Sequence, residues 1–486
     1  MIKKLLHILF IVPMLLFGQT QIGADIIGEA LNDQSGISIS LSNDGSIVAI
    51  GANQNDGVAA SAGHVRIFEN ISSTWTQIGT DIDGVALSDN TGYSVSLSGD
   101  GNIVAISAPL NDSAGSKAGQ VRIYQNISGT WTQIGAGING EAADDRFGFK
   151  VSLSDNGSVV AIGAQFNDGN GSNAGHVRIY QNISSTWTQI GTDIDGDAVN
   201  DQFGASVSLS SDGKIIAIGA IGNDSNGFTS GHVKIYQNIL GTWTQIGTNI
   251  NGEAASDQSG ISVSLSSNGG IVAIGAHLND GSGSNAGHVR IYKNILSTWT
   301  QIGTDIDGEA VDDNSGRSIS LSSDGSVVAI GAPLNDGSGS NAGHVRIYQN
   351  ISSTWTQIRV DIDGTGVDYE SGKTVSLSSD GNIVAIGAYG SSGFYTGKVR
   401  MFNISSVLSN NEFVLENFSI YPNPVSTTLT IQLQNNLELK TVVIYDSLGK
   451  KVKEEITKTL NLSALSKGIY YVKVITNMGE ATKTII

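Results

Sequence analysis

Ile37-Ser-Ile-Ser-Leu-Ser sets apolar residues against small polar ones at every second position, the period of a strand with one buried face. The turn Asn43-Asp44-Gly45 follows. Ile47-Val-Ala-Ile50 is then continuously apolar, as a strand buried on both faces should be. A stretch rich in Gly, Ser, Asn and Asp leads to a third strand signal at Val65-Arg-Ile-Phe68, and Thr74-Trp-Thr-Gln-Ile78 supplies a fourth. The pattern then returns. Trp75, Trp131, Trp187, Trp243, Trp299 and Trp355 stand 56 residues apart, and Gly36, Gly92, Gly148, Gly204, Gly260, Gly316 and Gly372 keep the same step. The tight turns recur as Asp100-Gly101, Asn156-Gly157, Asp212-Gly213, Asn268-Gly269, Asp324-Gly325 and Asp380-Gly381.

Seven copies at such a period mean a propeller or a solenoid. A solenoid needs a cap at each end, and the pattern shows none. The repeats instead open on a fourth-strand sequence, Thr20-Gln-Ile-Gly23, and close after a third strand, Val399-Arg-Met-Phe402. The first segment can complete the last blade, which closes the ring and removes the exposed sheet edges of an open array. The expected fold is all-β: a seven-bladed propeller over residues 20–403, with four strands per blade and the N-terminal strand closing the last one.

Composition narrows the field. Among 486 residues, 62 are glycine and only 14% are charged, which argues for short strands and turns over long helices. The absence of cysteine removes thiol chemistry, thiolate metal sites and disulfides. A net charge of −18 argues against unaided binding to nucleic acid or anionic membrane. Lys3 and Lys4 before the apolar run Leu5–Phe17 read as a secretory signal over residues 1–19, too short to span a bilayer. No later segment reads as a membrane span.

Two resemblances sharpen this picture. Phe147-Gly148 and Phe203-Gly204 open first strands, and Gly331-Ala332-Pro333 closes a second, with Ala108-Pro109 a partial match. These resemble the FG-GAP repeats of integrin-alpha-type propellers, although five repeats carry Ser or Thr in place of the Phe. Beyond a linker at 404–418 the repeat stops and Lys and Glu become more frequent. Strand signals at Leu429–Leu433, Thr441–Tyr445 and Tyr470–Ile475 suit a small Ig-like sandwich over residues 419–486. Tyr421-Pro422-Asn423-Pro424, Ser447-Leu-Gly449, Gly468-Ile-Tyr470-Tyr-Val472 and the terminal Lys483 together resemble the C-terminal sorting domain of the bacterial type IX secretion system. The resemblance implies the secretion machinery as a partner. It implies a protein secreted from a Gram-negative bacterium or held at its outer-membrane surface.

Candidate chemistry is sparse. His64, His176, His232, His288 and His344 occupy one repeat position, with Gln120 and Lys398 in the other two copies. Equivalent positions in different blades spread around a ring, so they are expected to pack blades rather than to converge on a metal. The calcium loop implied by the integrin-type resemblance is not carried over, because the connection at Ser42–Gly45 is a tight turn without enough oxygen ligands. Calcium therefore stays a possibility without a full ligand loop, and no metal or cofactor is assigned. The fragments Asp81-Ile-Asp83-Gly, Asp193-Ile-Asp195-Gly, Asp305-Ile-Asp307-Gly and Asp361-Ile-Asp363-Gly are expected to be turns in which Asp bonds its own backbone.

Asp56, Asp112, Asp168, Asp224, Asp280 and Asp336 lie in the second-to-third connections and are the candidate ligand-face residues. Residues 20–410 hold 37 Asp or Glu against 16 Lys or Arg, so that face should be acidic. Two function classes follow. The first is a non-catalytic binding or adhesion module engaging an extracellular glycan or protein. The alternative is a polysaccharide lyase or glycosidase working in the central channel. Catalysis needs unlike residues in one place, whereas Gly171–Gly196 nearly recurs at Gly339–Gly364, which favours the binding module. Small serines of the first strands are expected to line the channel.

Overall fold

A computed structural model describes residues 19–390, 395–405, 418–434, 437–446, 449–476 and 479–485. Residues 1–18 of the expected secretory signal, residues 406–417 of the expected linker, Ser391, Ser392 and Phe394, and Ser447 and Leu448 lie outside the described residues. The chain divides into two compact units, one ending at Ile404 and one running from Ser405 to Ile486.

Seven antiparallel sheets make up the first unit. In the first, Ser38–Leu41 pairs with Ile47–Ala52, which pairs with His64–Ile71, which pairs with Thr74–Gln77. The turn between the first two strands has Gly45 at φ +70°, a conformation that favours glycine. The middle strand Ile47–Ala52 is buried along nearly its whole length, as its unbroken apolarity requires. The fourth strand differs from the expectation. It breaks after Gln77 and resumes at Ile82–Asp83, which pairs with His64 and Val65, so each sheet has a short fifth strand. Of the aspartates expected in turns, Asp83 therefore belongs to the outer strand, while Asp81 sits in the break before it, where its Oδ1 accepts from Gln77 Nε2 at 2.6 Å.

Ring closure runs as the sequence requires. Thr20 and Gln21 pair with Asn403 and Phe402, and Ile26 and Ile27 pair with Val399 and Lys398. Between blades, one set of contacts repeats. The indole of each tryptophan donates to an isoleucine carbonyl 53 residues earlier, from Trp75 to Ile22 at 2.9 Å through Trp355 to Ile302 at 2.9 Å. On the inner strands, Ser40 Oγ accepts from Leu97 N at 2.9 Å, and the series closes with Ser376 Oγ accepting from Leu41 N at 3.1 Å. The second strand of one blade and the entry to the next blade's first strand come so close that a Cβ on Gly51 would meet the Gly92 carbonyl at 2.0 Å, so glycine is needed there for blade contact.

In the second unit, Phe418–Tyr421, Thr428–Leu433 and Thr459–Asn461 form one sheet. Leu439–Asp446, Lys451–Glu455, Tyr470–Thr476 and Gly479–Ile485 form the other. Phe418, Leu429, Ile431, Val442, Ile444, Val472 and Val474 fill a shared core, giving a small sandwich.

Candidate functional site

The six candidate loop aspartates are all exposed. Each uses one carboxylate oxygen on its own loop: Asp56 Oδ1 accepts from Ser61 N at 2.7 Å, and Asp336 Oδ1 from Asn341 N at 2.7 Å. Asp112, Asp168, Asp224 and Asp280 do the same with the backbone N–H five residues on. The preceding asparagine pins this loop to the fourth-to-first connection. Asn55 Nδ2 donates to buried Asp33 at 3.1 Å, and Asn335 Nδ2 donates to buried Asp313 at 3.1 Å. Six copies of one stapled loop thus lie on one face, each with an exposed carboxylate.

The repeat histidines are buried, and four of them meet acids. His64 Nδ1 lies 3.5 Å from Asp81 and 3.9 Å from Glu29. Glu141, His176 and Asp193 repeat the cluster, as do Glu253, His288 and Asp305, and Glu309, His344 and Asp361. Comparing histidines between blades missed this, because the partners come from the same junction; a constant offset of 17 residues from His to Asp was the available signal. Burial outweighs the neighbouring acids and lowers these histidines' affinity for protons, to about 4 for His176 and His288.

Each group offers an imidazole nitrogen and two carboxylate oxygens within 4.8 Å of one another, a partial set for a divalent ion. The glutamate is already engaged, however. Arg66, Arg178, Arg290 and Arg346 sit 3.1–3.7 Å from their glutamates. The same arginines donate to the previous blade's outer strand, as from Arg290 Nη2 to Asn251 O at 2.7 Å. A guanidinium in this place repels a second cation and supplies the charge the acids require, so the cluster serves as a blade junction. The FG-GAP phenylalanine belongs here too: Phe147 is fully buried, edge-on to His176, with Arg178 4.3 Å above its ring.

The central channel departs from expectation. Serines of the first strands do line it, but their hydroxyls turn to the neighbouring blade, as from Ser38 Oγ to Gly92 O at 2.7 Å. A cavity of about 250 Å³ opens among these strands, and Lys150, Arg317, Lys373, Tyr93 and Tyr389 line it as well. Unlike residues do converge on the channel. Lys150 stands where the other six repeats have Ser or Thr, and Arg317 and Lys373 stand where Ile37, Tyr93, Phe149, Ala205 and Ile261 stand in theirs. These positions start the first strands, so they mark the channel mouth on the face that carries the loops.

The electrostatics there are cationic. The channel's desolvation and the charge of Arg317 lower Lys150 to about 8. Burial raises Tyr93 and Tyr389, while His277 at the same mouth falls to about 3 through burial and the charges of Arg317 and Lys373. Lys373 pairs with buried Glu370 and lies 5.4 Å from the Tyr389 ring. Tyr93 packs on Phe149 at 5.2 Å.

The proposed sorting residues are distributed over the sandwich. Tyr421 ends the first strand, half exposed, and Asn423 Nδ2 donates to Thr484 O at 3.0 Å. Lys483 donates to Phe418 O, with its ammonium 4.6 Å over the Phe418 ring. Gly449 takes φ +80° in a turn, and Tyr470 donates to Ser466 O at 2.9 Å. Pro424 and Gly468 line a groove beside Tyr470 and Ile485.

Comparison with known proteins agrees with both parts. No curated protein matches the chain. Among solved structures, a candidate 6-phosphogluconolactonase of Bacteroides uniformis is 11% identical, with a TM-score of 0.49, over 68% of this chain and 85% of the other. The periplasmic gluconolactonase of Pseudomonas aeruginosa is 14% identical, with a TM-score of 0.46, over 68% and 86%. Among the described residues no helix is long and apolar enough to cross a membrane. Residues 139–180 and 187–236 match the FG-GAP repeat, and residues 419–486 match the secretion system C-terminal sorting domain. The chain therefore carries FG-GAP repeats in its propeller and a type IX sorting domain behind it, which directs it to secretion or to the outer-membrane surface of a Gram-negative bacterium.

Proposed function

We propose that this exported propeller is a non-catalytic binding module that engages an extracellular glycan or protein through its loop-bearing face, without a cofactor. One observation carries the reading: six near-identical stapled loops present six exposed carboxylates, Asp56 through Asp336, on one face. Repeated weak contacts from a rigid ring combine into strong attachment to a repetitive ligand, because each contact raises the effective concentration at the next. A glycan array probed with the mature chain, with and without calcium, tests it. Retention of glycans without turnover, weakened when the six aspartates become asparagine, is expected; release of a product would overturn the reading.

The convergence of Lys150, Arg317, Tyr93 and Tyr389 favours a second reading, an enzyme acting in the channel. The described channel lining holds no carboxylate pair of the sort a glycosidase uses, so the enzyme of this reading is a lyase with Lys150 as base. Ultraviolet absorbance from an unsaturated sugar product separates the two readings.

A further inference from the structure

The propeller is strongly acidic, yet the cavity at its axis is lined by three cations and by no acid among the described residues. Two of the three are unpaired: among the described residues neither Lys150 nor Arg317 has a side-chain hydrogen bond or ion pair, and Glu370 offsets only Lys373. Holding like charges together at the axis is unfavourable on its own, and the other repeats show how it is avoided, with serine or threonine at the Lys150 position and uncharged Ile, Ala, Tyr or Phe at the Arg317 position. Low-dielectric walls focus the field of such a cluster into the cavity. Tyr93 and Tyr389 add flat faces beside the charges.

We propose that the channel mouth binds a small oxyanion on a sugar-sized body, of the class of a hexuronate, with Arg317 and Lys150 taking the carboxylate and the tyrosines packing on the ring. The cavity of about 250 Å³ fits one such residue. Guanidinium and ammonium donors to a carboxylate make the stronger class of hydrogen bond, and a neutral sugar would leave both cations uncompensated. This inference rests on the binding reading and names the ligand chemistry at the axis of the same face.

Calorimetry of the mature chain with glucuronate, glucose and inorganic sulfate tests it. Lys150→Ser and Arg317→Ile serve as variants because each restores the residue of sister repeats, which protects the fold. Glucuronate should bind, glucose should not, and each variant should weaken glucuronate at least tenfold. Affinity should also fall between pH 7 and 9 as Lys150 loses its proton, and Lys150→Ser should abolish that slope. Tyr93 and Tyr389, raised by burial, stay neutral in this window, and His277 is neutral; Arg317 and the Lys373–Glu370 pair are the other charged groups that face Lys150. Sulfate binding as tightly as glucuronate would place a free inorganic anion in the site and overturn the sugar-sized body. No binding by either anion, or binding indifferent to both variants, would overturn the site itself. Consumption of glucuronate would displace the non-catalytic reading and leave the site standing.

Discussion

Blade junctions and channel mouth are built from the same repeat in opposite ways. At the junctions most copies do the same thing: in six an indole caps an isoleucine carbonyl, and in four an arginine pairs with a glutamate and reaches the previous blade while a buried histidine faces an aspartate. At the mouth the copies disagree, and the disagreements meet at one place. Repetition marks what the ring needs from each blade equally. Broken repetition, where it brings charge into a cavity, marks what one site needs once.

The closing strand tests the junction side most severely. Deleting Thr20–Ile27 removes the pairs with Lys398–Asn403, the acceptor of Trp75 and the acceptor of Arg66. A melt followed by circular dichroism should show a loss of well over ten degrees, or aggregation through the exposed edge. An unchanged melting temperature would mean an open array.

A smaller effect comes from the buried histidines. Their folded-state affinity for protons is lowered, to about 4 for His288, against an ordinary value of 6.5. Sign follows from linkage: the unfolded chain takes up protons first, so the stability is fully present above pH 6.5 and is lost as pH falls from 6.5 towards 4. His288→Gln, the residue that the second repeat already uses at Gln120, should flatten this acid sensitivity by one proton's share in melts from pH 7 to 4.

The smallest effect lies at the mouth. Lys150 falls from 10.5 to about 8 on folding, so its cost is fully present below pH 8 and fades between 8 and 10.5. Lys150→Ser should therefore raise the melting temperature by a few degrees at pH 7 and by nothing at pH 10.5. Loss of stability in this variant would assign Lys150 a structural role.

The ring was legible in the sequence because its determinants are one-dimensional. The 56-residue step, the Asp-Gly turns and the split of one blade between Thr20 and Phe402 are all visible as spacing. The histidine clusters were not, because a break in the outer strand after Gln77 returns Asp81 to the third strand, and no local pattern announces that break. The channel was half legible. Serines at the first strands suggested a neutral lining, but Lys150 replaces one of them, and Arg317 and Lys373 are the charged exceptions at the position just before. Reading the repeats for their outliers rather than their consensus would have found them.

Two arginines put the central claim to its most direct test. Arg290 holds a junction, 3.4 Å from Glu253 and bonded to Asn251 O at 2.7 Å, whereas Arg317 lines the mouth without a side-chain partner among the described residues. Melting temperature and glucuronate affinity should be measured together for Arg290→Gln and Arg317→Ile. The account predicts that Arg290→Gln loses about 2 kcal/mol of stability, the scale of a charged hydrogen bond, and keeps its affinity, while Arg317→Ile keeps its stability and loses at least tenfold in affinity. Arg317→Ile that melts early with its affinity intact would contradict it.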